Sequence, residues 1–368
     1  MRNGIAAKAA TIIASHRPTT VVAIPARNEA TYIEACLTAL GCQTEDPDVV
    51  VVLINNSDDA TYHNAERLRE HLPFALYLEP LELSPQRRDA GHARRHAMTL
   101  AADIAGPGGY LLTTDADAVV ASHWIERSVA NLRRGCDAVC GRALLDPRDA
   151  RRVPAHLHED DGRECQLIEL LDRMAWLLDP ERHDPYPRHT EASGANLAVT
   201  VDALQSVGGI PPAPSGEDRA FVRALWLADR RIRHDLSIVV TVSGRLDGRA
   251  TGGMADTMRR RIVRQDELTD EQVEPADDAW RRYGLRRRAR DVWSGLITDR
   301  RLAHDLGVAD AVLDYAMTAR FFGTAWAKLE AQSSVLARRR VAFTALPREI
   351  AAAEALLVEG ESEMAAAD

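Results

Sequence analysis

Four short β-branched runs separated by longer stretches of helical period leave few folds open to this chain. The runs cover residues 20–24, 49–54, 74–78 and 110–114. Strands alternating with helices in this way argue for an α/β fold, a mainly parallel sheet covered by helices. The second run stops directly at Asn55-Asn56 and the fourth at Asp115, while the first passes through Pro25-Ala26 before its polar residues. Between the runs, Asn28 and Glu29 read as the start of a helix with Ile33, Cys36, Leu37 and Leu40 on one face and Gly41 as its stop. Residues 59–72 and 89–105 read as two more helices. Ligands of open α/β sheets bind beyond the carboxyl ends of the strands, so residues 25–29, 55–59 and 115–117 are expected to meet in one crevice.

Composition narrows the chemistry. The chain has 46 basic against 55 acidic residues and a formal charge of −9, which argues against nucleic acid as a partner. Its only lysines are Lys8 and Lys328. A central Schiff base or phosphate-loop lysine is therefore excluded, and cationic work in a central site falls to arginine or a metal. Residues 5–14 are only mildly apolar, a poor signal peptide, and no run of ~18 apolar residues would span a bilayer. The expected location is cytoplasmic. Cys36, Cys42, Cys136, Cys140 and Cys165 are read as buried, reduced thiols.

Two acidic pairs stand out. Asp115-Ala116-Asp117 directly follows an apolar strand, so both carboxylates can reach one divalent ion by oxygen; solvated loop caps would look the same. Glu217-Asp218 follows the turn-rich residues 208–216 and precedes a helix over 219–228. It reads either as a helix cap or as a general base. A strand is expected over 238–242. Residues 146–189, rich in Pro, His, Asp and Arg and holding one amphipathic helix over 165–178, read as an insertion bordering the site. From about residue 255 the chain turns helical, with Trp326, Leu329 and Leu336 among its apolar positions, and this tail is expected to pack on the catalytic domain or to make a homodimer contact. Arg259-Arg260-Arg261 and Arg286-Arg287-Arg288 read as helix surface or as a contact to a lipid-linked or anionic acceptor.

In order, the chain presents Pro25-Ala26-Arg27-Asn28-Glu29, Asn55-Asn56-Ser57-Asp58-Asp59-Ala60-Thr61, Gly91-His92-Ala93-Arg94-Arg95, Asp115-Ala116-Asp117, Ser193-Gly194-Ala195-Asn196 and Gly216-Glu217-Asp218. Over roughly residues 18–250 this series closely resembles glycosyltransferase family 2, the inverting, nucleotide-sugar-dependent enzymes of GT-A fold. The resemblance implies a Rossmann-like mixed sheet with helices on both faces, which makes residues 1–254 the catalytic domain, and the helical pattern that follows reads as an extension over 255–368. It also implies that Pro25, Ala26, Arg27, Asn28 and Glu29 line a nucleotide pocket, with Asn55 and Asn56 by the base and Arg94 nearby. Asp115 would approach the ribose and the metal, Asp117 would be the main ligand of Mg²⁺ or Mn²⁺, and Ala195 and Asn196 would shape the sugar site. Asp218, with Glu217 beside it, would be the catalytic base for an acceptor hydroxyl. Arg245 and Arg249 are candidates for a second phosphate clamp, since guanidinium binds phosphate bidentately.

The chain departs from the family where many members carry paired aspartates after the second strand and it has Asn55-Asn56. It also lacks the glutamine-arginine-tryptophan motif of processive members, which favours an enzyme adding one sugar. A nucleotide-sugar-binding protein without turnover, or a sugar nucleotidyltransferase of the same fold, are the competing readings. A dehydrogenase is disfavoured because no G-x-G-x-x-G follows the first run.

Overall fold

The computed structural model describes residues 19–246, 254–263 and 265–367. The chain divides into two compact units, residues 1–152, 191–225 and 230–258 in one and residues 153–190, 226–229 and 259–368 in the other.

The first unit is built on an eight-stranded sheet in the order β3-β2-β1-β4-β7-β6-β8-β5. Its strands are β1 (Thr20–Ala26), β2 (Val49–Asn55), β3 (Ala75–Leu81), β4 (Tyr110–Thr113), β5 (Ala118–Val120), β6 (Ala138–Leu145), β7 (Leu197–Thr200) and β8 (Ile232–Val242). Its main helices are α1 (Ile33–Leu40), α2 (Thr61–Leu68), α3 (Ala90–Ala105), α4 (Trp124–Arg133) and α5 (Glu217–Leu227). Strands β1 to β4 pair in parallel, as do β6 and β8, whereas β7 runs against β4 and β6 and β5 runs against β8.

Side-chain alternation explains why both faces of the sheet are covered. Val22, Ile24 and Ala26 of β1 and Val50, Val52 and Ile54 of β2 form one core with Ile33, Leu37 and Leu40 of α1 and Trp124, Ile125 and Val129 of α4. The intervening Val21, Ala23, Val49, Val51 and Leu53 are equally buried. Helix α3, whose buried positions are largely alanine, packs on β1, β2 and β4. Each fully buried Val, Leu or Ile here contributes ~1.5–3 kcal/mol.

Several expected boundaries move. Helix α1 begins at Ile33, not at Glu29, because Asn28 adopts φ 54° and its Oδ1 accepts from the Asp58 amide instead of capping the next turn. Residues 69–71 tighten into a 3₁₀ turn after α2, and Glu217-Asp218 form the first turn of α5 instead of preceding it. Strand β8 starts six residues before the expected run. None of the five cysteines is in a disulfide, but only Cys36 and Cys140 are buried; Cys42 and Cys165 are exposed, which corrects the all-buried reading.

The second unit has its own cores. Leu167, Leu171 and Met174 of the helix Ala155–Leu178 pack with Ala276 and Ala279 of Ala276–Trp293 and with Leu346, Ile350, Ala353 and Leu357 of Leu346–Ala367. Trp326, Leu329 and Leu336 lie in a second core with Leu285, Ala289, Leu302 and Phe322. All three are buried. The two arginine clusters are tied to carboxylates of the same unit. Arg260 pairs with Asp266, Arg261 with Glu164, Arg286 with Asp179 and Glu181, Arg287 with Asp291, and Arg288 with Asp299 and Asp305. Among the described residues, no helix is long and apolar enough to cross a membrane.

Candidate active site

Sheet register gathers the site. Strands β1, β2 and β4 are parallel with Ala26 opposite Ile54 and Ala23 opposite Thr113, so Arg27-Asn28-Glu29, Asn55-Asn56 and Asp115 leave the sheet at one edge. Antiparallel β7 starts opposite Thr113, which brings Ser193-Gly194-Ala195-Asn196 to that edge from the other direction. In β5, Ala118 stands opposite Val242 of β8, so Asp117 emerges beside Ser243-Gly244-Arg245. Gly244 donates its amide to Asp149 Oδ2 at 2.8 Å, and a Cβ there would lie 2.7 Å from the Asp149 Cβ.

One half of the site is an acidic cradle holding an arginine. Arg245 grips Glu29 with both terminal nitrogens, at 2.7 and 2.6 Å, and reaches Asp117 Oδ2 at 3.0 Å. Its guanidinium also lies 5.2 Å from the centre of the Tyr32 ring. Burial and the neighbouring Asp115 charge push Asp117 up to about 7; Arg245 opposes this and Glu29 adds to it. The cradle therefore favours a cation.

The other half is built around Arg94, buried in α3. Its Nε donates to Glu217 Oε1 at 2.9 Å, its Nη1 to Thr113 Oγ1 and to the Gly194 carbonyl, both at 2.8 Å, and its Nη2 to Asp115 Oδ1 at 2.6 Å. The side chain of Arg94 is 5 % exposed whereas that of Asp115 is 37 % exposed, so the pair presents its carboxylate to solvent. Burial pushes the Glu217 carboxyl up, Arg94 pulls it back, and Asp218 adds to the rise. Asp218, half-buried, accepts the Gly194 amide on Oδ2 and the Arg219 amide on Oδ1, both at 2.8 Å. Glu29, Arg245 and Asp117 thus form one linked set; Asp115, Arg94, Glu217, Gly194 and Asp218 form another; and Asp115 and Asp117 stand two positions apart on one loop.

The remaining expected residues divide by role. The amide of Asn28 donates to Ser57 Oγ at 2.9 Å, that of Glu29 to Thr61 Oγ1 at 2.7 Å and that of Ala30 to Asp59 Oδ2 at 3.0 Å, which binds the loop after β1 to the loop after β2. Arg27 Nη1 donates to the Arg88 carbonyl at 3.1 Å. Pro25, Ala26 and Asn55 are strand positions at the same edge. Asn56, at φ 47°, uses its side-chain amide to hold Glu82 and both backbone groups of Leu83. Ala195 is buried. Asn196 is also buried, accepting from Trp124 Nε1 and donating to the carbonyls of Arg142 and Ile238. Its side chain therefore joins α4, β6 and β8 and does not face the carboxylates. Arg249 lies outside the described residues.

Tyr32, Thr113 and Asp149 were not singled out in the sequence. They act through residues 213, 19 and 95 positions away, a relation that carries no local signal. As a seat for Mg²⁺ or Mn²⁺, the site offers hard oxygen donors in Asp115 and Asp117. Among the described residues, no group of three or more His, Cys, Asp or Glu is arranged to hold a metal. That donor set fits an ion whose other ligands are phosphate and water oxygens, the usual habit of Mg²⁺.

Residues 21–183 match the family model described as glycosyl transferase family 2. No curated protein matches the chain. Among solved structures, residues 1–349 of TarS from S. aureus, in complex with UDP-GlcNAc, are 17 % identical over 85 % of this chain and 91 % of that one, with a TM-score of 0.45. The mannosyltransferase PcManGT from Pyrobaculum calidifontis, in complex with GDP-Man and Mn²⁺, is 21 % identical over 95 % of this chain and 81 % of that one, with a TM-score of 0.45. The glucosyl-3-phosphoglycerate synthase from Mycobacterium tuberculosis is 18 % identical over 73 % of this chain and 85 % of that one, with a TM-score of 0.41. Similarity at this level leaves the chemistry of the present chain to its own residues. The loops after β1, β2 and β4 and the segment before β7 meet at one sheet edge, and residues 21–183 carry the match to the glycosyl transferase family 2 model.

Proposed function

We propose that this protein is an inverting glycosyltransferase that moves one sugar from a nucleoside diphosphate sugar to an acceptor hydroxyl. The single observation that carries the reading is the link from Asp115, at the end of β4, through Arg94 and Gly194 to Asp218 at the start of α5.

Asp218 is held by two backbone amides, yet each carboxylate oxygen keeps lone-pair capacity. It takes the proton of the acceptor hydroxyl. The freed oxygen forms a bond to the anomeric carbon as the bond to the diphosphate oxygen breaks on the opposite side, so configuration inverts. Asp115 and Asp117 would hold Mg²⁺ or Mn²⁺, which supplies Lewis-acid stabilisation of the leaving diphosphate. Arg245, held by Glu29 and Asp117 and partly exposed, would give the diphosphate a bidentate partner on exchanging those carboxylates for phosphate oxygens. The loops after β1 and β2, fixed to each other by Ser57, Asp59 and Thr61, form the nucleotide side. The absence of the glutamine-arginine-tryptophan motif supports transfer of a single sugar.

A panel of UDP-, GDP-, ADP- and TDP-sugars, with and without Mn²⁺, tests the reading by thermal shift and donor hydrolysis in the same tubes. The expected result is a Mn²⁺-dependent shift with one base and measurable hydrolysis. Asp218→Asn is expected to retain the shift and to lose hydrolysis by at least ~100-fold, the usual worth of a general base. Loss of shift and hydrolysis together would remove Asp218 from the role of base. A shift without hydrolysis in the unaltered protein would make it a binding protein.

A further inference from the structure

We infer that Arg94 is a positioning residue that sets the donor carboxylate Asp115 and the base Asp218 relative to each other, and is not a ligand of the nucleotide. The inference rests on the transfer reading above.

Arg94 belongs to α3, whose first turn is pressed onto the segment leading to α5. A Cβ on Gly91 would lie 1.8 Å from the Ala213 carbonyl oxygen and 3.3 Å from the Glu217 Cβ. From that anchored turn the guanidinium extends into the space between β4, the loop before β7 and the start of α5. Four of its five N–H groups are directed at four different acceptors, namely Glu217, Thr113, Gly194 and Asp115. Burial disfavours the charge of the guanidinium, and Asp115 and Glu217 hold it in place against that cost. A side chain so engaged and so buried has little left to offer a nucleotide.

What Arg94 does have is leverage on both reacting sides. It touches Asp115 directly. It touches Asp218 through a single residue, because Gly194 accepts from Arg94 on its carbonyl and donates to Asp218 from its amide. Gly194 must be glycine for this contact, since a Cβ there would lie 2.5 Å from the Arg94 Cζ. The guanidinium is a rigid planar fork, so the directions of its bonds, and hence the offset between Asp115 and Gly194, are fixed by its own geometry. Lysine keeps the charge and loses the fork.

The two roles predict opposite kinetic signatures. A nucleotide ligand, when changed, raises the Kd for the nucleotide. A positioning residue lowers kcat and leaves that Kd nearly alone, because Asp115 keeps its charge while the reacting groups fall out of line, a misplacement that can cost on the order of 100-fold. The test uses the full chain with Mn²⁺, calorimetric titration of UDP and GDP, and hydrolysis of UDP-glucose, UDP-N-acetylglucosamine and GDP-mannose. Arg94→Lys is expected to lose at least ~10-fold in kcat while the Kd for the nucleotide changes by less than ~3-fold. Thr113→Val, nearly isosteric and removing one acceptor of the fork, guards against a folding defect. It is expected to lower kcat by a smaller factor, again without a change in Kd. A kcat within twofold of the unaltered protein in both variants, or a Kd raised more than ~10-fold with kcat retained, overturns the inference. An unaltered protein that hydrolyses none of the donors overturns the transfer reading, and this inference with it; hydrolysis by the unaltered protein with kcat preserved in Arg94→Lys overturns this inference alone.

Discussion

Arg245 shows how one side chain can balance a crowd of carboxylates. Glu29 and Asp117 crowd two carboxylates into a half-closed space with Asp115 beside them, and Arg245 supplies the balancing charge. Under the transfer reading a divalent ion competes with Arg245 for Asp117. Arg245→Gln is therefore expected to bind Mn²⁺ more tightly in the absence of nucleotide, by roughly three- to tenfold for a lost charge at a partly exposed site. The same variant is expected to bind UDP or GDP with Mn²⁺ more weakly, because a diphosphate partner has gone. Electron paramagnetic resonance of free Mn²⁺ measures the first effect and calorimetry the second. Equal loss on both measurements would make Arg245 a support for the cradle and not a competitor within it.

At the scale of elements, α3 determines how firmly Arg94 is held. Its N-cap is Asp89, whose carboxylate accepts from the His92 amide at 2.9 Å and lies 2.9 Å from His92 Nδ1. The cap satisfies one of the free amides of the first turn. Asp89→Ala is expected to cost ~1 kcal/mol and Asp89→Ser to recover most of it, read from denaturant midpoints. Activity is expected to fall with Asp89→Ala more than so small a loss of stability explains, because the turn that frays carries Gly91 and leads directly into Arg94. Unchanged hydrolysis in that variant would show that packing against the segment at Ala213 holds the turn without its cap. Strand β5 has a comparable role. It is three residues long, yet its pairing with β8 places Asp117 beside Arg245 across 128 positions of sequence.

For the molecule as a whole, the second unit contains a carboxyl held well below its ordinary range. Burial would raise the Glu181 carboxyl, but Arg286, Arg290 and His183 hold it down at about 2, against an ordinary value of 4.5. Arg286 and Arg290 also bind the buried Asp179 and stack on aromatic rings, with Arg290 4.4 Å from the centre of Phe322. A depressed carboxyl stabilises the fold above its unfolded pKa and ceases to do so as pH falls through its folded pKa. Its contribution, ~3 kcal/mol from the two values, is therefore complete above about pH 4.5 and gone near pH 2. Glu181→Gln is expected to lower stability at pH 7 and to flatten the decline in urea midpoint between pH 4.5 and 2. An unchanged slope would assign the acid response to other groups.

Local rules sufficed for the fold class and for picking out the acidic pairs of the candidate site. Strands β1, β2 and β4 and helix α3 were legible because buried parallel strands must be continuous apolar runs and a helix must repeat near 3.6 residues. The acidic pairs were legible because they interrupt those patterns. Strands β5, β6 and β7 were not. β5 and β7 have three and four residues, and β6 carries a register shift at Gly141, so their stability comes from neighbours in the sheet and not from their own composition. The partners of Arg94, Arg245 and Asn196 were hidden for the same reason: each bond joins segments brought together only by strand register. The sequence alone determined which residues were chemically able to act, since side-chain type and local period are properties of neighbouring positions. Only the tertiary structure decided which of them face one another, because burial and the pairing of distant strands set direction and distance, and these depend on the whole sheet.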